Sequence, residues 1–175
     1  MIKYGYKMTT LISDGEIQSR IKEIAKDISK KFENEVPILI GVLNGSFIFI
    51  SDLMRKMTID CEMDFIKMSS YAGKESVGTV KLLKDISANI TGRHVIVVED
   101  IIDSGLTIKF LRDRLQGALP KSVTIVTLLL KPDIANLDFK IDYVGFEIPP
   151  EFVVGYGLDY NQKLRHLPEI YRLEE

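Results

Sequence analysis

The run His94-Val95-Ile96-Val97-Val98, followed without a break by Glu99-Asp100-Ile101-Ile102-Asp103-Ser104-Gly105-Leu106-Thr107, constrains the fold more than any other stretch of the chain. From Val95 to Val98 the run is wholly apolar and β-branched, the mark of a strand covered on both faces, and parallel sheets flanked by helices provide that cover. Directly after it, three carboxylates (Glu99, Asp100, Asp103) leave the carboxyl end of the strand. Carboxylates at that density are costly unless cationic or hydroxylic groups meet them. Ser104, Gly105 and Thr107 then present hydroxyls and unhindered backbone N–H groups at the start of a helix marked by Leu111, Leu115 and Ala118, a setting that suits a phosphate. One turn thus offers acceptors for a polyol and donors for an anion, as a sugar phosphate requires. A helix cap at Ser104 beside solvated surface acids is the plainer alternative.

The rest of the chain repeats the alternation of helix and strand. Ser13 with Glu16 forms a capping-box pattern, and Ile17, Ile21, Ile24, Ile28 and Phe32 give an amphipathic helix. Val36 to Leu43 reads as a buried strand, Asn44-Gly45 as a turn, and residues 46 to 57 as a second helix. Residues 60 to 68 alternate as a half-buried strand with Cys61, Met63 and Phe65 on the apolar side. Ser69 to Gly78 reads as a loop, with short strands at Val80 to Leu83, Val123 to Leu130, Tyr143 to Ile148 and Phe152 to Tyr156. This order predicts a single α/β domain over residues 1–175 with a mainly parallel sheet. Ligands of such sheets bind beyond the carboxyl ends of the strands, where strand order reverses.

Composition excludes several functions. With 23 basic and 25 acidic residues, the formal charge of −2 supplies no general attraction to nucleic acid or anionic membrane. Cys61 is the only cysteine, which rules out an intramolecular disulfide and a cysteine-based zinc cluster. No apolar run approaches the ~18 residues of a membrane helix, so a cytoplasmic location is expected. A Walker-type loop is absent, Gly155-x-Gly157 does not continue as a dinucleotide fingerprint, and Asp103-Ser104-Gly105 lacks the glycine of a nucleophile elbow. His94 and His166 fit no metal or triad spacing.

Val97 to Thr107 resembles the phosphoribosyl pyrophosphate (PRPP) motif of the type I phosphoribosyltransferases. Leu43-Asn44-Gly45-Ser46, Ser70-Tyr71, Leu130-Lys131-Pro132, and Val144-Gly145-Phe146-Glu147 through Asp159-Tyr160-Asn161 to Arg165 are similar to the hypoxanthine-guanine members, over roughly residues 10 to 170. The resemblance implies a parallel sheet flanked by helices, a small hood from the N- and C-terminal segments, and a mobile lid over about residues 69–78. It implies transfer of the phosphoribosyl group of PRPP to hypoxanthine or guanine, giving IMP or GMP plus pyrophosphate, with Mg2+ as cofactor.

By the same resemblance, Glu99 and Asp100 hold the ribose hydroxyls and help position magnesium. Asp103 is the general base at purine N7, and Asp103, Ser104, Gly105, Leu106 and Thr107 cradle the 5′-phosphate. Lys131 faces the 6-oxo group, Phe152 stacks on the ring, and Val153 offers a backbone contact. A cationic donor at position 131 favours 6-oxo over 6-amino purines. Asp159 matches a second magnesium ligand, Arg165 grips the leaving pyrophosphate, and Ser70-Tyr71 closes over the centre. Asn44 and Gly45 form the pyrophosphate loop, which exposes backbone groups through an unusual peptide conformation; Asn44 stands where many members carry Lys. The family also implies a homodimer or homotetramer. Two rivals remain at this stage: a nucleotide sensor of the same fold that binds RNA or DNA, and a transferase acting on a pyrimidine or adenine.

Overall fold

The structure, a computed structural model, describes residues 2–71 and 79–174. In chain order its elements are β1 (Ile2–Lys3), β2 (Tyr6–Ile12), α1 (Asp14–Lys31), β3 (Ile38–Leu43), α2 (Phe47–Lys56), β4 (Glu62–Tyr71) and β5 (Thr79–Lys84). There follow β6 (His94–Ile102), α3 (Leu106–Gln116), β7 (Ser122–Leu130), β8 (Tyr143–Glu147), β9 (Val153–Val154) and β10 (Ile170–Leu173). α1 starts where the capping box places it: Ser13 and Glu16 exchange side-chain and backbone hydrogen bonds.

The central sheet has the order β5-β4-β3-β6-β7-β8. All its pairings are parallel except β4 with β5. As the unbroken apolar runs require, it is covered on both faces. Leu39, Ile96, Val98 and Leu128 pack with Ile17, Ile21, Phe49 and Leu53 of α1 and α2, while Ile40, Val95, Val97 and Ile125 pack with Ile108, Leu111 and Leu115 of α3. A second, antiparallel sheet in the order β1-β2-β10-β9 joins the two ends of the chain. Those are the segments expected to make the hood.

Several boundaries differ from the sequence reading. β6 runs to Ile102, because its ladder with β7 continues through Ile101↔Leu129 and Ile102↔Leu130, so Glu99 and Asp100 stand among the strand's last residues rather than after it. β4 continues through Ser69–Tyr71, paired with β5, so the expected lid at 69–78 opens on strand; residues 72–78 lie outside the described residues. Met63, expected on the buried side, is 46% exposed, whereas Ile66 is fully buried against the α3 side. Cys61 is only half-buried. The expected strand at Phe152 to Tyr156 shrinks to Val153–Val154, since Gly155, Tyr156 and Gly157 all take positive φ. Among the described residues no helix is long and apolar enough to cross a membrane.

Candidate active site

Strand order reverses between β3 and β6, neighbours in the sheet but separated in sequence by β4 and β5. That is the switch point at which an open α/β sheet binds its ligand. Asn44-Gly45 leaves the end of β3 there, and Glu99 and Asp100 occupy the end of β6, with Gly41 opposite Val98 in register. The two segments touch: a Cβ on Gly45 would lie 1.6 Å from Asp100 Oδ2, so only glycine allows the turn to sit on that carboxylate. The Leu43–Asn44 peptide is cis and Asn44 is exposed. Ser46 is turned away, its hydroxyl donating to Val42 O at 2.7 Å from a fully buried position.

Glu99 is 5% exposed. Burial first, and the Asp100 charge second, push its carboxyl well above the usual range. Burial also raises Asp100, with hydrogen bonds to Glu99 and to backbone N–H groups and the positive charge of Arg165 acting against the shift. A nearby cation favours the ionised form of both carboxyls.

Beyond Ile102 the chain turns into α3 through Gly105, in the left-handed conformation at φ +88 where a Cβ would strike Leu137. The structure makes Gly105, not Ser104, the residue that caps α3; the Ser104 hydroxyl accepts only a 3.4 Å bond from Leu106 N. A cleft of ≈ 370 Å³ is lined by Glu99 and by residues 101 to 108, combining the acids, the Ser104 and Thr107 hydroxyls and the helix N-terminus. Asn136 N donates to Ser104 O at 3.1 Å and fixes the turn from outside.

Lys131 follows the end of β7, and its Nζ lies 3.0 Å from Asp103 Oδ2. The lysine side chain is 9% exposed and the aspartate 53%, so the cation is held inside while the carboxylate faces the cleft. Lys131 N donates to Ile102 O at 3.0 Å, which locks the two strand ends together. Phe152 is 54% exposed, with Tyr160 packed edge-on at 5.9 Å, and Tyr6 of β2 supports Tyr160 at 5.5 Å. The partly open Phe152 ring lines a separate cleft with Tyr6, Glu151, Tyr160 and Arg172. Val153 is buried in register with Arg172 of β10. Ser70 and Tyr71 are the last residues of β4, at the same sheet end.

Arg165 Nη2 pairs with Asp159 Oδ1 at 2.7 Å and donates to Gln162 Oε1 at 3.0 Å, while Nη1 donates to Gly157 O at 2.7 Å. Both members of the ion pair are largely buried (19% and 27% side-chain exposure), which sets it apart from an ordinary surface pair. Gly157 also abuts Gly45, whose O would be 2.1 Å from a Cβ at 157. The turn of Asn44-Gly45, the acids of β6 and the Arg165 segment therefore converge. Gln162 carries no signal in the sequence, Tyr160 enters only within Asp159-Tyr160-Asn161, and Gly155-x-Gly157 reads there only as a dinucleotide loop that does not continue; in the structure both glycines mark close backbone approach.

Among the described residues no three His, Cys, Asp or Glu side chains converge on one point. Glu99 and Asp100 form one acidic pair, and Asp159 stands separately on Arg165. Such a sparse set of hard oxygen donors beside an anion cleft fits magnesium, which keeps several waters and takes one or two carboxylates plus substrate phosphates.

The phosphoribosyl transferase domain model matches residues 11–161. The hypoxanthine-guanine phosphoribosyltransferase of Bacillus subtilis is 45% identical over 161 residues, covering 91% of this chain and 89% of that protein. The bifunctional protein TilS/HprT of Listeria monocytogenes is 47% identical over 161 residues, and there the chain spans only 25% of the relative's length. Among solved structures, a hypoxanthine-guanine phosphoribosyltransferase from Bacillus anthracis superposes with a TM-score of 0.91 at 50% identity, covering 97% of this chain and 99% of that one. The Trypanosoma cruzi hypoxanthine phosphoribosyltransferase in complex with the product IMP gives 0.89 at 38%, covering 98% and 96%. The chain belongs to the phosphoribosyltransferase family and, within it, to the hypoxanthine-guanine phosphoribosyltransferases.

Proposed function

We propose that the chain transfers the phosphoribosyl group of PRPP to hypoxanthine or guanine, forming IMP or GMP and releasing pyrophosphate, a purine-salvage reaction. The observation that carries this reading is the 3.0 Å contact of Lys131 Nζ with Asp103 Oδ2 at the cleft. A purine presents N7 and its 6-oxygen side by side on one edge, so a carboxylate and an ammonium at hydrogen-bond separation match that edge as acceptor and donor. A 6-amino group would set a donor against Lys131, which disfavours adenine.

In this assignment Phe152 supports the ring, and residues 104 to 107 hold the 5′-phosphate on the N-terminus of α3. Glu99 and Asp100 accept from the ribose hydroxyls. As a bond forms between the purine nitrogen and C1′, the C1′–oxygen bond to pyrophosphate breaks and the N7 proton passes to Asp103. Arg165, with the backbone of Asn44-Gly45, receives the departing oxyanion. Glu99 and Asp100 would hold one magnesium ion and Asp159 a second. When bound, magnesium supplies positive charge to the pyrophosphate oxygens. We assign the chain to the cytoplasm and to a homodimer or homotetramer; a monomeric mass in sedimentation would refute the latter.

The test is pyrophosphate release by purified protein with PRPP and magnesium, offering hypoxanthine, guanine, xanthine, adenine and uracil separately, with a chelator control. Turnover confined to 6-oxopurines and lost on chelation is the expected result. Adenine or uracil turnover would move the assignment to another transferase. Nucleotide binding without turnover, together with salt-dependent RNA binding, would favour the sensor.

A further inference from the structure

Outside the cleft, Tyr156 is held in place from several sides. It lies in the left-handed region at φ 50, between Gly155 at φ 95 and Gly157 at φ 100. For a bulky residue this backbone is an outlier, sustained only where the surroundings over-determine it. Three contacts do so here. A Cβ on Gly155 would lie 2.1 Å from Glu169 O; Tyr156 N donates to Leu167 O at 2.7 Å; and the Tyr156 hydroxyl donates to Asp52 Oδ2 at 2.5 Å. Asp52 stands on α2 and is itself held, since Gln18 Nε2 of α1 donates to the same oxygen at 3.0 Å, and Lys56 Nζ donates to Gln18 Oε1 at 2.6 Å. The tyrosine is 3% exposed. Burial and the Asp52 carboxylate raise the phenol far above its ordinary range, so it remains a donor throughout the working pH range.

Both ends of this bond lead to the anion-facing backbone. α2 continues directly from Asn44-Gly45-Ser46, and Gly157, the residue after Tyr156, packs on Gly45 O and offers its carbonyl to Arg165 Nη1. We propose that the Tyr156–Asp52 hydrogen bond is a positioning strut for the pyrophosphate end of PRPP, setting the gap between the Asn44-Gly45 loop and Arg165 without either side chain touching substrate. The purine-facing groups Asp103 and Lys131 hang on β6 and β7, which are joined by their own ladder and by the Lys131 N to Ile102 O bond. Phe152 and Val153, which precede Tyr156 on the same segment, are held by the pairing of β9 with β10 and by Leu173 N donating to Phe152 O at 3.2 Å, so loosening the strut acts mainly on the PRPP side. The inference rests on the reaction assigned above.

The experiment compares Tyr156→Phe, Asp52→Ala and Asp52→Asn with the wild type. Tyr156→Phe keeps the ring and removes only the donor. Loss of a charge-assisted bond that acts through backbone position should raise the KM for PRPP, and for pyrophosphate in the reverse direction, about five- to tenfold. The KM for purine should stay within about twofold, because Asp103 and Lys131 are held by the ladder of β6 and β7 and Phe152 and Val153 by the pairing of β9 with β10. Asp52→Ala should reproduce the effect, Asp52→Asn should rescue it by keeping an acceptor oxygen, and the Asp52→Ala/Tyr156→Phe double variant should be no worse than either single one. A merely structural role would instead lower the melting temperature and the active fraction while leaving both KM values alone. That result, or equal rises in both KM values, overturns the strut. Titration calorimetry of PRPP with magnesium separates the two claims. Wild-type protein that binds PRPP without turning over purine refutes the assigned reaction, while the ratio of variant to wild-type PRPP affinity still decides the strut; wild-type protein that does not bind PRPP refutes both.

Discussion

Replacing Asp103 by Asn tests the division of labour in the cleft most directly. The amide has the volume of the carboxylate and keeps an oxygen that can accept from Lys131 Nζ, now 3.0 Å from Asp103 Oδ2. Purine placement should therefore survive, and what disappears is the group able to take the N7 proton. A positioned general base contributes about 10²–10⁴-fold, or about 3–5 kcal/mol of barrier at 1.36 kcal/mol per tenfold. The variant also leaves the buried Lys131 without its counter-charge. A fully buried pair broken on one side loses about 3–5 kcal/mol, but the Asp103 side chain is 53% exposed. Solvent screening reduces that figure to about 1 kcal/mol, a melting-temperature loss of only about 2–4 °C for a chain of this size. The two magnitudes separate the effects: the protein stays folded while turnover collapses. Initial rates with hypoxanthine and with guanine at saturating PRPP, beside thermal denaturation by circular dichroism, provide the check. A folded variant with kcat within about threefold of wild type would remove Asp103 from the base role, as would a loss carried wholly by the purine KM.

Lys131→Met should lower kcat/KM for hypoxanthine and guanine about 10- to 150-fold, the equivalent of one charge-assisted hydrogen bond, without a matching loss on adenine. Equal losses on adenine would refute the 6-oxo contact. Phe152→Ala removes the half-exposed ring, and at about 1–3 kcal/mol for stacking on a base should raise the purine KM with kcat nearly preserved; an unchanged purine KM would count against stacking. At the edge of the hood, hydrogen bonding to Lys7 first, and to Thr9 next, draws the Glu174 carboxyl down to about 2. A depressed folded-state value stabilises the protein above the ordinary glutamate range, and the contribution is lost as pH falls from there toward about 2. The stability difference between wild type and Glu174→Gln should accordingly shrink on acidification through that window, and an NMR midpoint for Glu174 at the ordinary glutamate value would show that the clasp does not form in solution.

The central sheet was legible because its strands are written twice over. Runs such as Ile38 to Leu43 and Val95 to Val98 are apolar at every position, which only burial on both faces explains, and α1 announces both its cap and its stripe. The hood was not legible as strands. β2 pairs with β10 across nearly the whole chain, and neither Tyr6–Ile12 nor Ile170–Leu173 has a local pattern that names a partner so distant; only the resemblance pointed to those segments. Met63 shows the same limit on a smaller scale: alternation put Cys61 and Phe65 on the side that packs with α1 and α2, but could not say that Met63, in the same phase, would be left 46% exposed.

The candidate site follows the same division. Residues 99 to 107 are contiguous, running from the end of β6 through a short turn into α3, so their chemistry could be read from adjacency. Lys131 and Arg165 each carry an ordinary local pattern and acquire meaning only through the fold, Lys131 where the ladder of β6 and β7 sets it on Asp103 and Arg165 where it meets Asp159 and Gly157; Phe152 lines a neighbouring cleft with Tyr6 and Tyr160. What sequence reasoning could not reach at all is the contact of glycine with glycine. Gly45 and Gly157 touch through backbone, with a Cβ on one excluded by Asp100 and on the other by Gly45 O. Residue type records that contact only as an absence of side chain. A function built on such contacts is therefore held in place by side chains that stand outside the cleft, which is why Tyr156 and Asp52, chemically silent in the sequence, are where the geometry of the anion site is most open to mutation.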